Sequence, residues 1–252
     1  MSLRGVFCAA ATPVTATGGI DTERFVHHAR QLLADGCTGI ALLGTTGEAN
    51  SFSIAERRML LETAVAAGIK PTQLMPGTGL CAIPDTVELT RHALSLGVDH
   101  VVMLPPFYYK TPSDDGIFNA YARIIDQVAD DRLRVILYHI PQMSAVPIGH
   151  ALIDRLLKAF PRTIAGMKDS SGDFANMRAV LERFPGFAVL AGADPLLKPL
   201  LDAGGHGCIT ATSNLVARQL ATVFHHHADT TRSDAVAAAQ DCIVAVRNVS
   251  NR

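Results

Sequence analysis

Five lysines occur in the sequence, and only Lys168 closes an apolar run of strand type, TIAGMK. An amine placed there loses hydration, which favours the neutral form, the nucleophile that addition to a carbonyl requires. Lys70 precedes Pro71 at the start of a run, Lys158 and Lys198 fall in segments of helical spacing, and Lys110 sits in a loop. Tyr138 closes a second run, VILYHIP, where a phenol can carry a proton to and from an oxygen formed at the lysine. GTTGE, residues 44–48, sets Thr45 and Thr46 between glycines and offers backbone N–H groups to a carboxylate. Each has a plainer reading: an ion pair between Lys168 and Asp169, a hydrogen-bonded core tyrosine, and an ordinary strand-to-helix turn. The residues alone leave both open.

Lys168, Tyr138 and GTTGE share a rim only if the runs that carry them are parallel. Apolar runs rich in β-branched residues recur at VFCAA, GIALLG, TQLMPG, HVVMLP, RVILYHI, TIAGMK, FAVLAG and GCITA. Continuous apolar strands indicate a parallel sheet covered on both faces. Between them, FVHHARQLLADG, AERRMLLETAVAAG and TVELTRHALSLG space their apolar residues at helical intervals and end in glycine. Glu23, Glu56, Asp85 and Asp154 fall near helix starts, as caps and solvated faces. Eight such units predict a (β/α)8 TIM barrel over residues 1–214, followed by a C-terminal helical segment, 215–252. That segment stops at Arg252 without closing elements, which implies a longer gene product. Active sites of such barrels lie at the C-terminal ends of the strands. The polar residues there are Thr12, Thr45, Thr46, Thr78, Tyr108, Tyr109, Tyr138, Lys168, Asp169, Ser170, Asp194, Thr210 and Thr212.

Composition narrows the partners. A chain of 252 residues, 48% hydrophobic with net charge −1, can bury one full core, and no basic run interleaves with aromatics to hold nucleic acid. No apolar run reaches membrane-spanning length, so a cytoplasmic enzyme acting on a small metabolite is expected. Cys8, Cys37, Cys81, Cys208 and Cys242 include no CxxC pair and read as reduced structural thiols. His139, His150 and the other isolated histidines read as core groups. Consecutive helical residues His225, His226 and His227 point apart, so no metal is expected.

GTTGE, YHIP with Tyr138 and GMKDSSGD with Lys168 stand in the order and spacing of the dihydrodipicolinate synthase and N-acetylneuraminate lyase family, which the chain resembles over nearly its whole length. LPPFYYKTPSDDG, VLAGADPLLKPLLDAGGHG and TSN extend the match. The resemblance implies class I chemistry, in which Lys168 condenses with the keto carbon of pyruvate and the iminium passes to an enamine that attacks an aldehyde. No cofactor is implied, the Schiff base being formed with the substrate itself. It implies that Tyr138 is the proton shuttle, Thr45 a relay member, and Thr46 and Gly47 part of the carboxylate cradle. Tyr109 matches a residue lent across a dimer interface, with Tyr108 the alternative. Gly192 and Ile209 match backbone positions lining the pyruvate pocket, and the assembly implied is a homodimer or homotetramer.

Departures from the family pattern bear on the second substrate. Met143 stands where dihydrodipicolinate synthases carry an arginine for that substrate's carboxylate, and a thioether cannot replace a bidentate guanidinium. Pro195 follows Asp194 where sialic acid lyases show an acidic residue, and Ala211 replaces a hydroxyl residue. Both substrates are thereby disfavoured. The expected substrate is another 2-keto-3-deoxy sugar acid or pyruvate adduct, with Asp194 and Ser170 as binding residues. Asp169 either hydrogen-bonds a polyol or caps the following helix. The alternatives are 4-hydroxy-tetrahydrodipicolinate synthase and a sugar-acid dehydratase of the same family.

Overall fold

The structure, a computed structural model, describes residues 3–250. Seven parallel strands run through it: β1 (Gly5–Ala9), β2 (Gly39–Ala41), β3 (His100–Met103), β4 (Arg134–His139), β5 (Ile164–Asp169), β6 (Ala188–Ala191) and β7 (Gly207–Thr210). They pair in the order β2-β1-β7-β6-β5-β4-β3. The third expected run, TQLMPG, joins both edges without forming a regular strand. Met75 and Gly77 donate their N–H groups to the carbonyls of Ile40 and Leu42, each at 2.9 Å, while Val102 donates to the Pro76 carbonyl at 3.0 Å. Pro76 has no N–H to give and Pro71–Gln73 coil into a 3-10 turn, so the ring closes through an irregular eighth segment.

Alternation along each strand sorts side chains into two shells. Val6, Cys8, Val135, Leu137, Met167, Val189 and Cys208 face the helices, whereas Phe7, Ala9, Ile136, Tyr138, Leu190 and Ile209 fill the barrel interior. Both faces are dry, which is why the strands read as unbroken apolar runs rather than alternating ones.

The outer layer holds α1 (Thr22–Ala34), α2 (Ile54–Ala66), α3 (Ile83–Ser95), α4 (Asp114–Val128), the single turn α5 (Pro141–Ser144), α6 (His150–Ala159), α7 (Phe174–Arg183), α8 (Leu197–Asp202) and α9 (Ser213–His226). Their starts follow from local side chains: Asp21, Ser113 and Asp173 accept N–H bonds as N-caps, and Ser53 with Glu56 forms a full capping box. A last helix, α10 (Ser233–Ser250), packs on α9 through Val236, Ala239 and Ile243, all within the main core. Among the described residues no helix is long and apolar enough to cross a membrane. Cys8, Cys37 and Cys208 are buried free thiols pushed upward in pKa by burial, Cys37 to about 12.

Two histidines tie this fold to pH. His139 Nδ1 accepts the Ile148 N–H at 3.1 Å, and His206 Nδ1 accepts the Val189 N–H at 3.3 Å. Burial is the leading cause that lowers both below the ordinary histidine value of 6.5. The unfolded chain therefore binds protons first. Their contribution to stability is fully present above 6.5 and is lost as pH falls through the lower folded-state values. Each orphaned N–H costs about 1–3 kcal/mol. Urea unfolding should show stability declining on acidification below 6.5, with a shallower decline in His139→Asn and His206→Asn. Equal slopes in all three proteins would refute the assignment.

Candidate active site

Register brings the central pair together. Tyr138 on β4 and Lys168 on β5 are direct partners in the ladder, two parallel strands that both end at this rim, and both side chains take the inward parity. Lys168 is 5% exposed and Tyr138 4%, with Lys168 Nζ 4.2 Å from the centroid of the tyrosine ring. Thr45, on the loop after β2, lies with its hydroxyl 3.2 Å from the Tyr138 hydroxyl. Burial pushes the Tyr138 phenol upward, but the Lys168 charge and hydrogen bonding with Thr45, Lys168 and Ser170 outweigh it, leaving the phenol below its ordinary value.

The alternative ion pair does not form. Asp169 points to the opposite face of β5, where Oδ1 accepts from Ser171 N (2.8 Å) and Oγ (2.6 Å) and Oδ2 from Asn176 Nδ2 (2.8 Å). It is fully buried and fastens the turn into α7, whose N-cap is Asp173. That carboxylate is buried on the face turned away from Lys168.

The loop carrying Thr45 is held in an unusual shape. Leu43 and Glu48 take left-handed φ values of 55° and 50°, uncommon for side chains of their size. Thr12 Oγ1 donates to the Gly47 carbonyl at 2.8 Å and fixes the far end. Gly192 follows β6, donating its N–H to the Asp169 carbonyl at 2.7 Å. A Cβ there would meet Ser170 Oγ at 1.9 Å and its Cα at 2.7 Å. Gly192→Ala is therefore expected to displace Ser170, the neighbour of Lys168's phenol partner, at a cost of about 1–3 kcal/mol. Thermal unfolding and the rate of Lys168 modification should both report it, and an unchanged pair would contradict the packing.

Ile209 is buried in the barrel interior at 1% exposure. Asp194 is fully buried, and its Oδ2 accepts from Thr212 Oγ1 at 2.7 Å and faces Arg247 of α10 at 3.4 Å. It ties the last helix to the barrel. Thr78 pairs with Thr90, and Thr210 with Ser213, both inside the protein. Tyr109 stands 82% exposed on the loop after β3, edge-to-face with Tyr108, and makes no bond to Thr45 or Tyr138 within the chain.

A cavity of about 260 Å³ opens at this rim, bounded by Thr45, Tyr138, Val102, Ile140, Met143 and Arg57. Arg57 carries no motif that marks it in the sequence. It lies on α2 in one stripe with Leu60, Leu61 and Ala64, all buried, so a charge sits where spacing calls for an apolar residue. That mismatch was the available signal.

Parallel barrel, inward lysine and hydrogen-bonded tyrosine together define an enzyme of Schiff-base type. The chain belongs to the dihydrodipicolinate synthetase family, whose model matches residues 2–249. It is 38% identical to an uncharacterized DapA-like lyase of Chloroflexus aurantiacus over 98% of this chain and 82% of that one. A 4-hydroxy-tetrahydrodipicolinate synthase of Rhizobium meliloti is 32% identical, over 85% and 72% of the respective chains. Among solved structures, dihydrodipicolinate synthase from Agrobacterium tumefaciens superposes with a TM-score of 0.85 at 31% identity, covering 90% of this chain and 79% of that one. YagE from E. coli, a family member in complex with pyruvate, gives 0.87 at 26% identity over 98% and 82%. The protein is a class I pyruvate-dependent lyase or aldolase.

Proposed function

We propose that the enzyme cleaves or forms a 2-keto-3-deoxy sugar acid, or a related pyruvate adduct, through an enamine on Lys168. The observation that carries this reading is the inward Lys168–Tyr138 pair, with Thr45 on the phenol. In the cleavage direction Lys168 Nζ adds to the C2 keto carbon, and Tyr138 supplies the proton that lets the carbinolamine oxygen leave as water. The protonated imine accepts the electron pair of the C3–C4 bond as the C4 hydroxyl gives up its proton. An aldehyde departs and the enamine stays on the lysine. Protonation at C3 and hydrolysis then release pyruvate. Thr45 passes protons between Tyr138 and solvent, and the Thr46–Gly47 backbone with Gly192 and Ser170 holds the keto acid end. No cofactor takes part in this scheme.

The exposed Tyr108 (69%), Tyr109 and Met143 (62%) form an apolar surface beside the cavity that a second copy of the chain would cover, in a cytoplasmic homo-oligomer that brings Tyr109 to the neighbouring site. Relatives named 4-hydroxy-tetrahydrodipicolinate synthase support a second reading, against which Met143 stands. A screen of 2-keto-3-deoxy acids for pyruvate release, coupled to lactate dehydrogenase, tests the proposal. Free pyruvate with an aldehyde supports it; a dehydrated keto acid as product, or condensation confined to aspartate semialdehyde, overturns it.

A further inference from the structure

Arg57 is a buried cation without a counter-charge. It is 3% exposed, and of the five N–H donors a guanidinium carries, one has a protein partner among the described residues, the Gly77 carbonyl at 2.8 Å. Nε is buried with no partner, and Arg57 forms no ion pair among the described residues. Burial lowers its pKa to about 10, so it keeps its charge at neutral pH. Holding an ion out of water without compensation is unfavourable, and proteins retain such ions where a ligand completes the pair.

Its position tells which ligand. Arg57 bounds the same cavity as Thr45 and Tyr138, together with Gly77 and Met143. Glu48 reaches that cavity from its exposed rim and forms no ion pair with Arg57. In the proposed scheme the keto acid's own carboxylate is met by the Thr46–Gly47 loop, which does not bound this cavity. In that scheme the aldehyde half of the substrate extends from the enamine past Tyr138 and Thr45 into this cavity. Met143 stands where the family pattern has a guanidinium, while α2 brings a different guanidinium to the edge of the cavity.

We propose that Arg57 binds an anionic group, a carboxylate or phosphate, on the aldehyde half of the substrate, so that the favoured 2-keto acids are those carrying a second negative charge. This rests on the enamine at Lys168. The terminal N–H groups that Gly77 does not hold suit either anion.

The test compares condensation of pyruvate with 4-oxobutanoate and with butanal, two aldehydes of equal length that differ in the carboxylate. Wild-type enzyme should prefer 4-oxobutanoate by about 10- to 100-fold in kcat/KM, the scale of a charge-assisted bond. Arg57→Gln should collapse the ratio towards one, and Arg57→Lys should restore part of it. A ratio of one in the wild type, or a ratio retained in Arg57→Gln, overturns the assignment. Should Arg57→Gln fail to fold, competition decides: succinate must inhibit wild type competitively against 4-oxobutanoate, and a non-competitive pattern places the anion at a separate site and sinks the proposal. Borohydride trapping of pyruvate reads Lys168 alone. A chain that traps pyruvate yet shows no preference refutes the anion site only. One that traps none refutes the enamine reading, and calorimetric titration with succinate, expected to bind wild type and not Arg57→Gln, still decides the role of Arg57.

Discussion

Replacing Lys168 by alanine is expected to abolish turnover, by on the order of 10⁶-fold, the scale on which deletion of a covalent nucleophile acts. The side chain is 5% exposed, faces inward and pairs with no carboxylate, its own neighbour Asp169 being engaged by Ser171 and Asn176 on the other face. The charge therefore does little for the fold that a neutral side chain would forfeit. Lys168→Ala should unfold cooperatively near the wild-type temperature while releasing no pyruvate from any 2-keto-3-deoxy acid. Release of pyruvate at more than a thousandth of the wild-type rate would remove Lys168 from the mechanism.

Tyr138→Phe is expected to lower kcat by about 10²-fold or more, the usual contribution of a positioned acid or base. The substitution keeps the ring on which Lys168 Nζ sits at 4.2 Å and removes the hydroxyl that faces Thr45 at 3.2 Å. Packing is conserved and proton transfer is not. Because the Lys168 charge helps to hold the phenol below its ordinary value, the proton donor is lost at lower pH than an ordinary phenol would be, so wild-type activity should begin to fall on the alkaline side below the ordinary phenol value, and the variant should lack that limb. Stopped-flow measurement of adduct formation isolates the step, since the proton in question leaves with the carbinolamine oxygen. A variant that forms the adduct at the wild-type rate would contradict the shuttle.

The legible part of this protein is the part dictated by short-range pattern. Runs such as RVILYHI and TIAGMK announce strands because both barrel faces are dry, and the residue that ends each run falls at the rim by parity alone. GTTGE is legible for the same reason, since a turn of that kind belongs between a strand and α2. TQLMPG has the pattern of a strand and closes the barrel, but Pro76 leaves it without a regular ladder. Asp194 reads locally as a substrate group, whereas its Oδ2 meets Thr212 and Arg247, the latter 53 residues further along the chain, and its Oδ1 has no partner among the described residues. No local pattern records a pairing of that length. Arg57 was hidden in the opposite way, inside a helix whose spacing looked complete, where a charge on the buried stripe counts as a flaw until the cavity beside it is seen.

The central claim, that Lys168 carries the substrate, is tested most directly by reduction with borohydride in the presence of pyruvate, followed by peptide mass mapping. One reduced three-carbon adduct is expected, located on Lys168 and absent from Lys168→Ala. No adduct at saturating pyruvate, or an adduct on Lys70, Lys110, Lys158 or Lys198 instead, would contradict it.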